Sequence, residues 1–129
     1  KAEIIQIRTL KQGDGVSYKS EWIAQDETII ATLAIGYGDG LPFAWAKNGY
    51  VLFHGQKCPI RGRICMDLCM IDISGLVQKP KVGDEVTVIG TDGGEQISAR
   101  EIANNCSTIT YEVLTRISSR LPYQWINRG

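Results

Sequence analysis

With 129 residues, 14 lysines and arginines balanced by 14 aspartates and glutamates, and 43% hydrophobic residues, the chain has the size and composition of one compact soluble domain with its own core. A formal charge of zero leaves no basic footprint for nucleic acid or for an anionic membrane surface. The longest apolar run, residues 29–35, falls far short of the ~20 residues that span a bilayer, and no signal-peptide pattern opens the chain; a cytoplasmic protein with no membrane or nucleic-acid partner is expected.

Alternating apolar residues separated by turn chemistry dominate the first three quarters. Ala2 to Leu10 reads as a strand, ended by Gly13-Asp14-Gly15, whose glycines suit the positive-φ positions of a tight turn. Val16 to Tyr18 begins a short second strand, and the β-branched run Thr28 to Ile35 is a third, broken by Gly36-Tyr37-Gly38-Asp39-Gly40. After a loop carrying Pro42, Trp45 and Lys47-Asn48-Gly49, Tyr50 to Phe53 and the residues from His54 to Lys57 form a hairpin leading into Cys58 to Ile64. Met66 to Ile73 alternates, with Leu68, Met70 and Asp72 on one face and Cys69, Ile71 and Ile73 on the other. Glu85 to Ile89 is the last clear strand, entered through Val82-Gly83-Asp84 and ended by Gly90 and Gly93-Gly94.

The last quarter changes period. Ser98-Ala99-Arg100-Glu101 is a capping box, in which serine and glutamate each satisfy a backbone donor at a helix start. A short helix over residues 99–104, a second over residues 110–115 and a strand-like end, LPYQWI, complete the chain. The pattern predicts a mainly β fold, a small β-barrel-like domain with two short helices in the C-terminal third.

Four cysteines would allow three disulfide pairings, but Cys58, Cys65 and Cys69 lie in apolar, strand-like text and read as buried small hydrophobes. Zinc would need ligand spacing that only Cys65-x3-Cys69 approaches, and the single histidine, His54, stands apart; no metal is expected. If both cysteines were on one strand they would share a face. No GxSxG, Walker or HExxH pattern occurs, and Gly36-x-Gly38-x-Gly40 lacks the helix that a dinucleotide fingerprint requires. Asp39, Asp84 and Glu85 read as solvated turn carboxylates. What stands out is a set of tyrosines beside glycines or at element ends: Tyr18, Tyr37 and Tyr111. A phenol becomes a base at neutral pH only where its neighbours favour the phenolate, and a second polypeptide or domain would have to supply them.

Six blocks of text, residues 4–18, 30–42, 55–73, 82–90, 97–103 and 108–122, closely resemble in order and spacing the C-terminal β domain of bacterial alanine racemases. That resemblance implies a chain that is only the second part of an enzyme, preceded by an (α/β)8 barrel that holds pyridoxal 5'-phosphate on a lysine, in a homodimer whose subunits complete each other's sites. It implies interconversion of L- and D-alanine, the latter for peptidoglycan. Tyr18, in GVSY, matches the acid/base opposite the lysine, donated to the partner subunit. Inverting a stereocentre needs proton carriers on both faces of a flat carbanion. Met66, in RICMD, matches the residue whose backbone N–H holds the substrate carboxylate, and Tyr111, in TITYE, the tyrosine that bonds the cofactor phosphate. Tyr37, Arg63 and Asp67 correspond to residues of the access corridor. The chain departs from the family pattern at Lys19 and Glu21, and at Leu41-Pro42-Phe43, where an aromatic, proline and arginine are common. Racemisation of another amino acid such as serine, or a stand-alone β interaction module, are the competing readings.

Overall fold

The computed structural model describes residues 1–16, 22–106, 108, 113–114 and 117. Six antiparallel strands form the main sheet: β1 (Ala2–Leu10), then β4 (Thr28–Leu33), β5 (Tyr50–Phe53), β6 (Gln56–Arg61), β7 (Cys69–Asp72) and β8 (Glu85–Val86), in the spatial order β5-β6-β7-β4-β1-β8. The sheet curls until its two edges meet. Immediately past β8, the Thr87 N–H donates to the Leu52 carbonyl at 2.8 Å and the Leu52 N–H to the Thr87 carbonyl at 2.9 Å, linking β5 to the far edge and leaving a nearly closed barrel. Closure by a backbone bridge removes the exposed edges that would otherwise recruit foreign strands.

A bulge in β1 decides what the barrel encloses. Ile4 pairs with Leu33 but Gln6 with Thr32, so Ile5 is the extra residue and the inward parity changes across it. Before the bulge Ala2 and Ile4 face the main core; after it Ile7 packs there while Leu10 turns to the opposite face. On that face Leu10 meets Ile30, Val16 and Ala24 under a two-stranded ribbon of β2 (Gly15–Val16) and β3 (Trp22–Ile23). Strand β4 is thus covered on both sides, which explains its nearly unbroken apolar run. The main core gathers Ile4, Leu33, Trp45, Val51, Leu52, Ile64, Ile71, Ile73, Ile97 and Ile102.

Several expectations change in detail. The strand placed over Thr28 to Ile35 ends at Leu33, and the two segments read as loops each contain a 3-10 turn, Tyr37–Asp39 and Phe43–Lys47. The second turn buries Trp45 completely, with Gly49 so close that a Cβ there would stand 2.1 Å from the Trp45 carbonyl oxygen. The segment expected as one strand up to Ile89 is paired only over Glu85–Val86 and at Thr87, and an unforeseen hairpin follows, β9 (Gly90–Asp92) with β10 (Glu95–Ile97). Its turn, Gly93-Gly94, has positive φ at both positions, as does His54-Gly55 between β5 and β6. The two turns abut glycine to glycine: a Cβ on Gly93 would lie 2.9 Å from Gly55 Cα. Asp92 secures the junction by accepting from the Gly55 N–H at 3.2 Å and the Thr87 hydroxyl at 3.0 Å.

Helix α1 (Ala99–Asn105) starts where the capping pattern put it, and Ser98 Oγ accepts from the Glu101 N–H at 3.1 Å. The reciprocal half of the box is replaced by a tertiary bond: the Glu101 carboxylate accepts from the Tyr50 hydroxyl at 2.6 Å, tying α1 to β5. Burial, then this bond, raise the Tyr50 phenol to about 12. Of the second helix, Val113 and Leu114 are helical, while the rest of it, the strand-like end, Lys19 and Glu21 lie outside the described residues. No helix among the described residues is long and apolar enough to cross a membrane.

All four cysteines are free. Cys58 and Cys69 are the buried small hydrophobes expected, and burial pushes both thiols up to about 12. Cys65 and Cys106 are only half-buried. Cys65 lies on the loop before β7, so the shared face that one strand would have imposed on Cys65 and Cys69 does not arise.

Candidate functional site

Two loops leave the barrel on the same side, residues 36–40 after β4 and residues 62–68 between β6 and β7, and they are joined through their backbones. The Tyr37 N–H donates to the Cys65 carbonyl at 2.9 Å and the Gly38 N–H to the Met66 carbonyl at 2.8 Å. Only glycine permits this approach at position 36, because a Cβ there would stand 2.1 Å from the Cys65 oxygen and 2.5 Å from the Met66 carbonyl carbon. The first loop is also braced from within. Buried Asp39 accepts from the Gly36 N–H at 3.1 Å, its own N–H returns to the Gly36 carbonyl at 3.0 Å, and Gly40, with φ of 105°, closes the turn. Asp39 therefore holds a turn, but as a buried carboxylate and not the solvated one its setting suggested, because the turn it braces packs inward; Asp84 holds a turn as expected by accepting from the Lys81 N–H at 2.8 Å.

Since main-chain groups make these joints, the side chains remain available. Tyr37 is 49% exposed, Phe43 53% and Met66 53%. With Leu41, Pro42, Arg63, Ile64 and Cys65 they line an open cleft of about 720 Å3. Tyr37 and Phe43 meet edge to face, centroids 6.2 Å apart, and the Arg63 guanidinium lies 5.7 Å from the Phe43 centroid. The Met66 carbonyl is taken by Gly38, but its N–H donates to no acceptor among the described residues. Arg63 and Met66 thus lie in the lining of one cleft whose other residues are mainly apolar, a setting in which a few polar groups can orient a small ligand.

Of the residues singled out from sequence, the fold brings Tyr37, Arg63 and Met66 to this one cleft. Asp67 follows Met66 as an exposed residue outside the lining. Tyr18 and Tyr111 lie outside the described residues. Cys65, read only as packing, lines the cleft as well. A second cluster nearby had no signal in the sequence: the Arg61 guanidinium lies 5.0 Å from the Trp22 centroid and 3.5 Å from the Asp72 carboxylate, the pairing of β6 with β7 setting Arg61 near Asp72 and the packing of the β2–β3 ribbon bringing Trp22. Among the described residues no three His, Cys, Asp or Glu side chains are grouped so as to hold a metal ion.

Comparison with known proteins points one way. The family described as "Alanine racemase, C-terminal domain" matches residues 1–125. An alanine racemase from Halothermothrix orenii is 41% identical over 128 residues, 99% of this chain and 34% of that protein. Among solved structures, the alanine racemase from Bacillus anthracis with bound L-Ala-P superposes with a TM-score of 0.90 at 40% identity, over 99% of this chain and 32% of that one. The alanine racemase from Bartonella henselae with covalently bound pyridoxal phosphate gives a TM-score of 0.85 at 33% identity, over 92% and 32%. The chain thus spans about a third of the length of the relatives it matches.

Proposed function

The chain belongs to the alanine racemase C-terminal domain family, and from that premise we propose that it is the domain which completes the site of a pyridoxal 5'-phosphate-dependent alanine racemase. The observation that carries the proposal is the convergence of Tyr37, Arg63 and Met66 on one cleft, within a fold shared along nearly the whole chain with alanine racemases. The catalytic lysine and its barrel would lie in the two thirds of the relatives that this chain does not span. When bound there, the cofactor supplies the electron sink that makes a carbanion at Cα accessible.

The residues of this chain have distinct tasks in that scheme. Arg63 lines the access corridor, and the Met66 N–H receives the substrate carboxylate, fixing which face of Cα each proton carrier meets. Tyr37 narrows the approach, Asp67 borders the corridor, and Tyr111 would bond the cofactor phosphate. Tyr18, donated to the partner subunit of a homodimer, takes the proton from Cα of L-alanine or returns one in the opposite direction, so that both faces are served. The isolated domain, without lysine or cofactor, would be inactive, and the whole enzyme would work in the cytoplasm, supplying D-alanine for peptidoglycan.

The test is racemisation of L- and D-alanine by the full-length protein and its Tyr18→Phe variant, alongside the domain alone. Loss of about 10²-fold or more in kcat for the variant, with solvent deuterium incorporation from one enantiomer hit hardest, is expected. An active isolated domain, or a Tyr18→Phe enzyme as fast as the wild type, would sink the assignment. Leu41 and Phe43 give the cleft an apolar mouth, which favours a second reading, racemisation of an amino acid other than alanine; parallel kcat/KM values for alanine and serine decide between them.

A further inference from the structure

On the face of the sheet away from the main core, Arg61 makes contacts that core packing does not explain. It ends β6 paired with Met70, and its guanidinium reaches two positions further along β7 to the Asp72 carboxylate at 3.5 Å. That carboxylate is itself fixed. It accepts from the Ser74 N–H at 2.9 Å, and the Ser74 hydroxyl accepts from the Ile29 N–H at 2.7 Å, which ties the group to β4. The guanidinium carbon also lies 5.0 Å from the Trp22 centroid, within the range of cation–π attraction, while Nε is buried with no hydrogen-bond partner. With that donor unspent, the guanidinium is held by the carboxylate and the indole, an arrangement that fixes position at the expense of a full set of hydrogen bonds.

Trp22 matters for where it stands. It pairs with Val16 in the β2–β3 ribbon, beside the pair of Gly15 with Ile23, and the Ala24 N–H donates to the Asp14 carbonyl at 2.9 Å one step further back. Val16 is pinned by burial among Leu10, Ala24 and Ile30, whereas Trp22 is only half-buried against that cluster, so the cation is a second hold on β3. Residues 17–21, which join the two strands beyond this pair, include Tyr18, two positions past Val16. A short connection takes both its end points from the pair it joins, and a small misplacement of a reacting group is enough to slow a proton transfer. We propose that Arg61 and Trp22 are positioning residues for the proton carrier: the guanidinium, anchored by Asp72, holds the indole and with it the base from which Tyr18 is presented. The inference rests on the racemase reading above, and no bond is made or broken at either residue.

The experiment uses the full-length protein with Arg61→Met, which keeps the apolar stem and removes the cation, Trp22→Leu, which removes the ring, and Trp22→Phe, which keeps one. Arg61→Met spares the packing of Trp22 and carries the test should Trp22→Leu not fold. Both alanine enantiomers are turned over with hydrogen and with deuterium at Cα, and hydrogen exchange is followed at the Gly13 and Ala24 amides, which bond across the ribbon. Arg61→Met and Trp22→Leu are expected to lower kcat about two- to five-fold, as loss of one cation–π contact implies, with KM within about two-fold and the double variant no worse than either single one. Tyr18 breaks the Cα–H bond of L-alanine only, so the deuterium isotope effect should rise from the L side and not from the D side; a mere loss of folded enzyme leaves both at wild-type values. Ribbon exchange should quicken by a similar factor, and Trp22→Phe should stay near wild type. In an active enzyme, isotope effects that are unchanged or move together in Arg61→Met, or ribbon exchange at the wild-type rate, would overturn the inference alone. A wild type that racemises no alanine would defeat the racemase reading, and ribbon exchange in Arg61→Met then still decides whether the cation braces the ribbon.

Discussion

The barrel and the cleft are built from adjacent stretches of the same chain by opposite means. In the barrel, side chains do the holding: Trp45, Leu52, Ile71 and Ile102 are fully buried, and the backbone bridge between Leu52 and Thr87 closes a wall already packed from within. In the cleft, the backbone does the holding. Tyr37 and Gly38 bond to Cys65 and Met66 through main-chain groups alone, while Tyr37, Phe43 and Met66 stay about half exposed. A wall pinned by its own peptide groups can keep its side chains uncommitted without being loose, which is what a binding surface needs. Deletions should therefore hurt the barrel through lost volume and the cleft through lost spacing.

The largest effect on stability is expected on the barrel side. Trp45→Ala removes the largest fully buried side chain among the described residues and should cost about 3–5 kcal/mol in urea unfolding. A cost under about 1 kcal/mol would mean that the core around it collapses freely. Next comes Gly36→Ala, a one-carbon addition that must push the two loops apart because its Cβ would meet the Cys65 oxygen at 2.1 Å. It should cost about 1–3 kcal/mol, an overpacking penalty, and should also weaken carboxylate binding, whereas Trp45→Ala spares binding wherever the protein remains folded. If Gly36→Ala binds propionate normally, the spacing of the two loops is not what builds the cleft.

Alkaline pH probes the barrel through its two buried thiols. The Cys58 and Cys69 thiols are raised from about 9 in the unfolded chain to about 12, so the folded state keeps protons that the unfolded state releases. Their contribution is complete below pH ~9 and is lost as pH rises toward about 12; stability should fall across that window, and less steeply in Cys58→Ala and Cys69→Ala. An unaltered slope in both variants would place the titrating groups elsewhere. The smallest effect should come from Met66→Leu, which retains the peptide N–H and should leave KM within about two-fold; a much larger rise would mean that the thioether, not the backbone, receives the substrate.

Much of the barrel was legible in the sequence because strands announce themselves locally. The alternation read over Met66 to Ile73 survives as strand only over Cys69–Asp72, its first residues being part of the loop, while the β-branched run from Thr28 and the capping serine at Ser98 hold. The hairpin across Gly93-Gly94 carried a signal as strong as any, but two short strands beside many glycines read as a terminus. The resemblance to alanine racemases singled out Met66, Tyr37 and Arg63, yet nothing in their spacing put them in one cleft. That depended on Gly36 lying against Cys65, a contact between residues 29 positions apart.

Amino-acid order by itself therefore determined the class of the fold, the places where strands turn and the residue types offered for chemistry, because periodicity, turn residues and caps act over a few neighbours. Only the tertiary structure decided which parity of β1 faces inward, that the Glu101 carboxylate serves Tyr50 instead of its own helix end, and that Met66, a guanidinium and two aromatic rings share one surface. Those outcomes depend on register and closure between distant strands, where a shift of one residue would turn every side chain to the other face.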